Sequence, residues 1–339
     1  STIGSIVGTF LTVFVLIPEF GVNRIIFALG VTLLIVAFLG LDFRLKVFVL
    51  LILAIVPFAA PYMTNHRLTV AAYTLALGDT VYETDTPYHH LVVADSYDST
   101  YQTYDRILIL DDNLHSAMDL KKPDRTVFTY TDYFHLGFLL NPNITRVLFI
   151  GGGGFTGPKT FLKDYPAVEV DVAEIDPEVI RVAEQYFSVD SSNPRLHIYN
   201  EDGRIFLQGT SQKYDLIVLD AYSKSYVPFH LMTAEFFKSI ANHLTAKGSV
   251  ISNLIAAVSG DSSELLRAEG RTIQVAFPNV YAFAVEGTGY SGPQNIIILA
   301  TLLPQSLTAG GFERLAATTA VVRIPTSTLE DYVANYFTI

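Results

Sequence analysis

The chain has 339 residues, half of them hydrophobic and only 16% charged, with a formal net charge of -11. That acidic balance, with no basic stripe anywhere, argues against a nucleic-acid partner. There is no cysteine, which excludes disulfides, thiolate zinc sites and a cysteine nucleophile.

In chain order, the apolar excess comes first. Ser1 to Ile17 carries no charge, Arg24 to Leu41 is apolar after its first residue, and Val47 to Met63 is a third such run. Each approaches the length that spans a bilayer. The breaks between them, "PEFGVNR" and "DFRLK", hold the charges and turn residues. This predicts about three transmembrane helices over 1–65, a lipid bilayer as partner, and a multi-pass membrane protein. The positive-inside count is close to a tie. A soluble part that used a cytosolic nucleotide would face the cytoplasm. The start at Ser1, with nothing before the first run, points to a fragment of a longer membrane protein.

Residues 66–125 read as a small antiparallel β unit. "YHHLVVADSY" and "RILILDDNLHSAMDL" are β-rich runs split by Asp, Ser and Asn. "TYTDYFHLGFLL" (129–140) predicts a helix. Strands then alternate with helices: strands at 146–150, 168–176, 195–200, 214–220, 248–255, 280–285 and 295–301, helices at 177–186 and 234–244. Such alternation predicts an α/β fold with a doubly wound, mostly parallel, Rossmann-like sheet over 126–305. A tail over 306–339 follows, with an amphipathic helix from Leu329 to Ile339.

Ligands of such sheets sit beyond the carboxyl ends of the strands. The first parallel strand ends in Gly151, Gly152, Gly153 and Gly154. The second ends in Glu174 and Asp176, the third in Asp202 and Gly203, and the fourth in Asp220. Gly152-x-Gly154-x-x-Gly157 permits a nicotinamide dehydrogenase. Acids after both the second and the third strand suit an adenosyl-sulfonium compound better: one acid can hold the ribose, the other the adenine amino group. His89, His90, His115, His135 and His230 have no metal-ligand spacing with acids, so no metal is expected. Asp220 has a plainer reading as a helix N-cap.

At these residues the chain resembles the spermidine synthase (aminopropyltransferase) family, and in particular its membrane-fused spermidine synthase-like branch. The carrying stretches are "TRVLFIGGGG", "VAEIDPEVIRVAEQYF", "NEDGRIFL" and "YDLIVLDAYS…VPFHLMTAEFF", within about Val81 to Thr301. The resemblance implies transfer of an aminopropyl group from decarboxylated S-adenosylmethionine to a small-molecule amine, without a metal, in a protein that pairs as a homodimer. It implies that Gly151, Gly152 and Gly153 line the sulfonium tail. Glu174 would take the ribose hydroxyls, Ile175 would lie against the adenine, and Asp202 with Gly203 would meet the adenine amino group. Asp220 would be the catalytic base. Tyr222 and Tyr88 would lie near the amine, and His89 near the adenosyl compound.

The chain also departs from the family. Gly154 stands where an acid usually follows the three glycines. Ser223, Lys224 and Ser225 stand where a second acid for the diamine is usual. Tyr88-His89 replaces a Tyr-Gln pair, and His115 replaces a glutamine. Two alternatives stay open: a methyltransferase using intact S-adenosylmethionine, and a non-catalytic domain that binds S-adenosylmethionine or methylthioadenosine.

Overall fold

The structure, a computed structural model, describes residues 2–17, 22–40, 42, 69–70, 73–74, 79–111, 113–221, 227–320 and 322–338. It forms two compact units, Ser1–Ser96 and Tyr97–Ile339.

In the first unit, α1 (Thr2–Leu11) passes into a π-helical turn (Thr12–Leu16), and α2 occupies Val22–Gly40. Their apolar side chains remain exposed, as at Phe10 (60%), Phe27 (73%) and Leu39 (72%). Among the described residues no helix is long and apolar enough to cross a membrane. This corrects the spans expected over residues 1–17 and 24–41. In the first, the α-helix ends after ten residues, a rise of about 15 Å, roughly half a hydrocarbon core. The third expected span, Val47 to Met63, lies outside the described residues. Further on, β1 (Thr69–Val70) pairs antiparallel with β2 (Tyr73–Thr74). β3 (Thr80–Asp85) pairs antiparallel with β4 (His90–Asp98), whose end passes the unit boundary.

The second unit opens with a hairpin, β5 (Thr103–Leu110) against β6 (Asn113–Asp119). The expected helix at 129–140 is a 3-10 helix over Thr129–Leu136 that becomes α3 (Gly137–Leu140). Then come β7 (Arg146–Ile150), α4 (Thr156–Asp164), β8 (Glu169–Glu174), α5 (Pro177–Tyr186), β9 (Leu196–Asn200), α6 (Gly203–Gly209) and β10 (Tyr214–Leu219). After a short 3-10 turn (Phe229–Leu231) follow α7 (Ala234–His243), β11 (Leu244–Ala256), α8 (Glu264–Gln274), β12 (Asn279–Ala284) and β13 (Gln294–Thr301). The chain closes with α9 (Ala309–Thr318), α10 (Thr326–Ala334) and β14 (Tyr336–Phe337).

These strands form one sheet in the order β14-β12-β13-β11-β10-β7-β8-β9. The five strands from β9 to β11 are mutually parallel, and β13, β12 and β14 join antiparallel. β7 is apolar in every residue after Arg146 because both its faces are covered. On one face Phe149 packs with Phe134, Phe161 of α4 and Ala183 of α5. On the other, Leu148 belongs to a core that also takes in Phe206 of α6, Phe237 of α7 and Leu266 of α8. Helix starts are set by side-chain caps: Asp176 accepts from Glu178 N ahead of α5, and Thr233 from Phe236 N ahead of α7.

The helix expected over Leu329 to Ile339 is shorter and shifted. α10 ends at Ala334, and Tyr336 and Phe337 then pair with Phe283 and Ala282 of β12. Two β-favouring aromatics follow a break at Asn335, and they complete the sheet edge.

β7 has β8 on one side and β10 on the other. α4 and α5 cover one face of the sheet and α6 and α7 the other. The chain therefore leaves the carboxyl ends of β7 and β10 toward opposite faces. A crevice opens there, as at the switch point of any doubly wound sheet.

Candidate functional site at the strand ends

The glycine loop begins at that switch point. Gly151 has φ +96°, and a Cβ there would sit 2.4 Å from the carbonyl oxygen of Asp220, on the neighbouring strand end. Only glycine allows both the backbone angle and that approach. Its N–H donates to the carbonyl of Ala173 (2.9 Å). The Gly152 N–H donates to Glu174 Oε2 (2.7 Å), and the other Glu174 oxygen accepts from Asp176 N (2.9 Å). Glu174 is thus turned inward, bracing the loop with its carboxylate. Burial pushes its pKa up, against the backbone hydrogen bonds that favour the charged form. Ile175 beside it is 38% exposed, a free apolar edge above the strand end.

Gly154 explains one departure from the family pattern. Its N–H donates to Ser116 Oγ (2.8 Å). A Cβ at 154 would lie 2.8 Å from Ser116 Cβ and 3.1 Å from Phe187. No acid fits a position already filled by β6 and the end of α5. Sequence reasoning passed over Ser116, although it adjoins His115, the position at which the chain had been compared with the family.

At the third strand end, Asp202 caps α6: its Oδ1 accepts from Arg204 N (2.9 Å) and Ile205 N (3.1 Å). Its Oδ2 lies 3.0 Å from His230 Nε2. Gly203 follows in close contact with β7, where a Cβ would be 2.3 Å from Ile150 Cγ2.

Asp220 is held differently. Its N–H donates to Ile150 O (2.9 Å). Asn253 Nδ2 donates to its Oδ1 (2.9 Å), and the Tyr130 hydroxyl donates to its Oδ2 (3.2 Å). Asn295 Nδ2 in turn donates to Asn253 Oδ1 (2.9 Å), which fixes the Asn253 carboxamide. The carboxylate is therefore oriented by side chains from β11 and the 3-10 segment. Burial raises the Asp220 pKa, while the two donors lower it. Burial, reinforced by the nearby Asp220 charge, drives the Tyr130 pKa well above its usual value, so this hydroxyl stays protonated. Beside it Leu219, Ala221, Val227, Leu231, Ser252 and Asn253 line a small depression.

The strand ends thus bring together Gly151, Gly152, Gly153, Glu174, Ile175, Asp202, Gly203 and Asp220. Tyr88 and His89 lie in the β3–β4 turn of the first unit, where Thr86 Oγ1 accepts from both their backbone N–H groups (3.1 and 2.9 Å). Tyr222 and Lys224 fall outside the described residues. Among the described residues no cluster of metal-ligating side chains occurs.

Comparison with known proteins follows the same segments. A family model described as "Spermine/spermidine synthase domain" matches residues 128–299. A polyamine aminopropyltransferase of Vibrio vulnificus is 35% identical over 184 residues, covering 53% of this chain and 58% of that protein. The chain thus spans somewhat over half the length of that relative. Among solved structures, a spermidine synthase in complex with the transition state analogue AdoDATO has a TM-score of 0.55 at 21% identity, over 68% of this chain and 76% of that one. A spermidine synthase from Thermotoga maritima has a TM-score of 0.57 at 19% identity, over 78% of this chain and 86% of that one. At such identities the structural likeness concerns the fold.

Proposed function

The chain belongs to the spermine/spermidine synthase domain family, and on that footing we propose that it is an aminopropyltransferase with Asp220 as general base. The donor substrate is decarboxylated S-adenosylmethionine and the acceptor is a small amine. The observation that carries this reading is the Asp220 carboxylate, oriented by Tyr130 and Asn253 and one strand end from the glycine loop. The polyamine aminopropyltransferase and spermidine synthase relatives support it.

The chemistry needs little besides alignment and a base. An amine nitrogen attacks the carbon bonded to the sulfonium. The carbon–sulfur bond breaks with its electrons going to sulfur, and neutral methylthioadenosine leaves. The proton shed by the amine passes to Asp220. A carboxylate whose pKa is raised by burial is a stronger base than one in water. Holding nitrogen, carbon and sulfur in line lowers the barrier further. Gly151 to Gly153 would accommodate the sulfonium tail, Glu174 the ribose, Ile175 the adenine edge, and Asp202 with Gly203 the adenine amino group. Tyr88, Tyr222 and His89 belong to the same reading on family resemblance alone.

The exposed apolar side chains of α1 and α2 (Ile3, Phe10, Phe27, Leu33 and Leu39) support a second element of the proposal: this face is covered by lipid, with the second unit on the cytoplasmic side. In a flotation assay the protein should rise with liposomes. A protein lacking residues 1–40 that floated equally well would refute lipid contact through these helices.

The activity is tested by mass spectrometry of adenosine products. Purified protein is given decarboxylated S-adenosylmethionine or S-adenosylmethionine, each with a mixture of amines. We expect methylthioadenosine, reduced about 10²–10⁴-fold in Asp220→Asn. S-adenosylhomocysteine instead would assign methyl transfer. Neither product, with methylthioadenosine still raising the melting temperature, would assign a binding domain.

A further inference from the structure

The function proposed above gives Asp202 the adenine amino group and leaves His230 without a role. His230 sits in the 3-10 turn Phe229–Leu231, 28 residues along the chain from Asp202, yet its Nε2 meets Asp202 Oδ2 at 3.0 Å. The acid thereby has one oxygen committed to the first turn of α6, where it takes two backbone N–H groups. Among the described residues the other oxygen carries the imidazole alone. A carboxylate oxygen accepts two hydrogen bonds. The imidazole N–H takes one lone pair of Oδ2 and leaves one, in a fixed direction.

The ring is not what fastens the turn. Arg204 Nη1 donates to the carbonyl of His230 (2.8 Å) and to Thr233 Oγ1 (3.2 Å). Leu231 N and Met232 N donate to Pro228 O and Phe229 O within the turn itself. The backbone at 230 is therefore held without the imidazole, and the ring is 39% exposed. Among the described residues the polar partner of the ring is Asp202. Because Asp202 accepts there, Nε2 carries the proton.

We propose that His230 is the positioning residue for recognition of the purine 6-amino group, acting through Asp202. With Oδ1 clamped by α6 and one lone pair of Oδ2 occupied by the imidazole, a single acceptor direction remains. A neutral exocyclic amine of adenine fits that direction. A purine bearing hydrogen at position 6 leaves the acceptor unpaired, and one bearing a carbonyl oxygen there meets it with repulsion. The inference rests on the adenosyl reading of the site and goes beyond it by naming the residue that sets base selectivity.

The test compares dissociation constants of methylthioadenosine and its 6-deamino analogue, measured by calorimetry on the wild type, His230→Ala and His230→Gln. The wild type should prefer the 6-amino compound by about three- to tenfold, the worth of one hydrogen bond. In His230→Ala that preference should shrink to about twofold or less, and His230→Gln, which can still donate to Asp202, should restore it. A structural role would weaken both nucleosides alike and leave the ratio unchanged, which overturns the proposal. Equal binding of the two nucleosides by the wild type overturns it as well, while the adenosyl site stands. Binding of neither nucleoside to the wild type overturns the adenosyl reading itself.

Discussion

The two halves of the strand-end crevice are built by different means. On the side of β7, β8 and β9, each acid is fixed by backbone N–H groups, most of them two or three residues away and one, that of Gly152, 22 residues from Glu174. Glu174 takes those of Gly152 and Asp176, and Asp202 those of Arg204 and Ile205. On the side of β10 and β11, Asp220 is fixed by side chains, with Tyr130 lying 90 residues away and Asn253 lying 33 away. The first arrangement couples its acids to the stability of the fold. The second leaves the acid free to be tuned by single hydrogen bonds.

The contrast can be broken most forcefully at Glu174. Glu174→Gln keeps one acceptor oxygen and turns an amide toward a backbone N–H. With hydrogen bonds to a charged group worth about 1.5–3 kcal/mol each, a loss of about 2–4 kcal/mol is expected. Urea unfolding measures it, and methylthioadenosine affinity should fall in parallel. Unchanged unfolding would mean that the carboxylate does not brace the loop.

A comparable but pH-dependent effect is expected behind Ser252. Glu269 of α8 is 1% exposed and accepts from Ser252 Oγ (2.9 Å), and burial pushes its pKa up to about 7. Below the ordinary carboxylate range the group is protonated in both folded and unfolded chains. As the pH rises toward 7 only the unfolded chain ionises, so stability is lost across that window and stays lost above it. The raised pKa corresponds to roughly 3 kcal/mol. Glu269→Gln should remove that loss, flattening the fall in stability between pH 5 and 8. Parallel stability curves for the two proteins would contradict the assignment.

The smallest effect sharpens the comparison from the other side. Tyr130→Phe removes a donor that lowers the Asp220 pKa. The acidic limb of the kcat/KM profile should then move to higher pH, with a few-fold loss of rate below it and about 1 kcal/mol or less in stability. A limb that stays where it was would detach Tyr130 from the acid.

The same contrast explains what the sequence revealed. α5 occupies 177–186 as its apolar spacing predicts, and β7 occupies 146–150. Strand-end acids are legible because each has backbone partners beside it: "AEID" and "NEDG" carry their own turns and caps, and only the Glu174 bond to Gly152 reaches across to another strand end. The orientation of Asp220 was not legible, since Tyr130, Asn253 and Asn295 meet it only after the sheet has assembled. Ser116 and His230 were hidden for the same reason, lying 38 and 28 residues from their partners. Helix spans were expected from apolar runs alone, which say how hydrophobic a segment is but not where its helix breaks. The tail misled because α10 yields to a strand at Tyr336, and the apolar pattern does not separate those two states over so short a stretch.

The chain of amides from Asn295 through Asn253 to Asp220 has a consequence for how the protein is made on the ribosome. A nascent chain that has emerged only through β10 already carries the glycine loop, Glu174, Asp202 and Asp220. Asn295 follows 75 residues later, about 4–15 s at ordinary translation rates. During that interval the half of the site assigned to the nucleoside can close on its own bonds, while Asp220 has at first only Tyr130 to orient it. The amide that fixes Asn253 comes with β13, the last long strand to arrive.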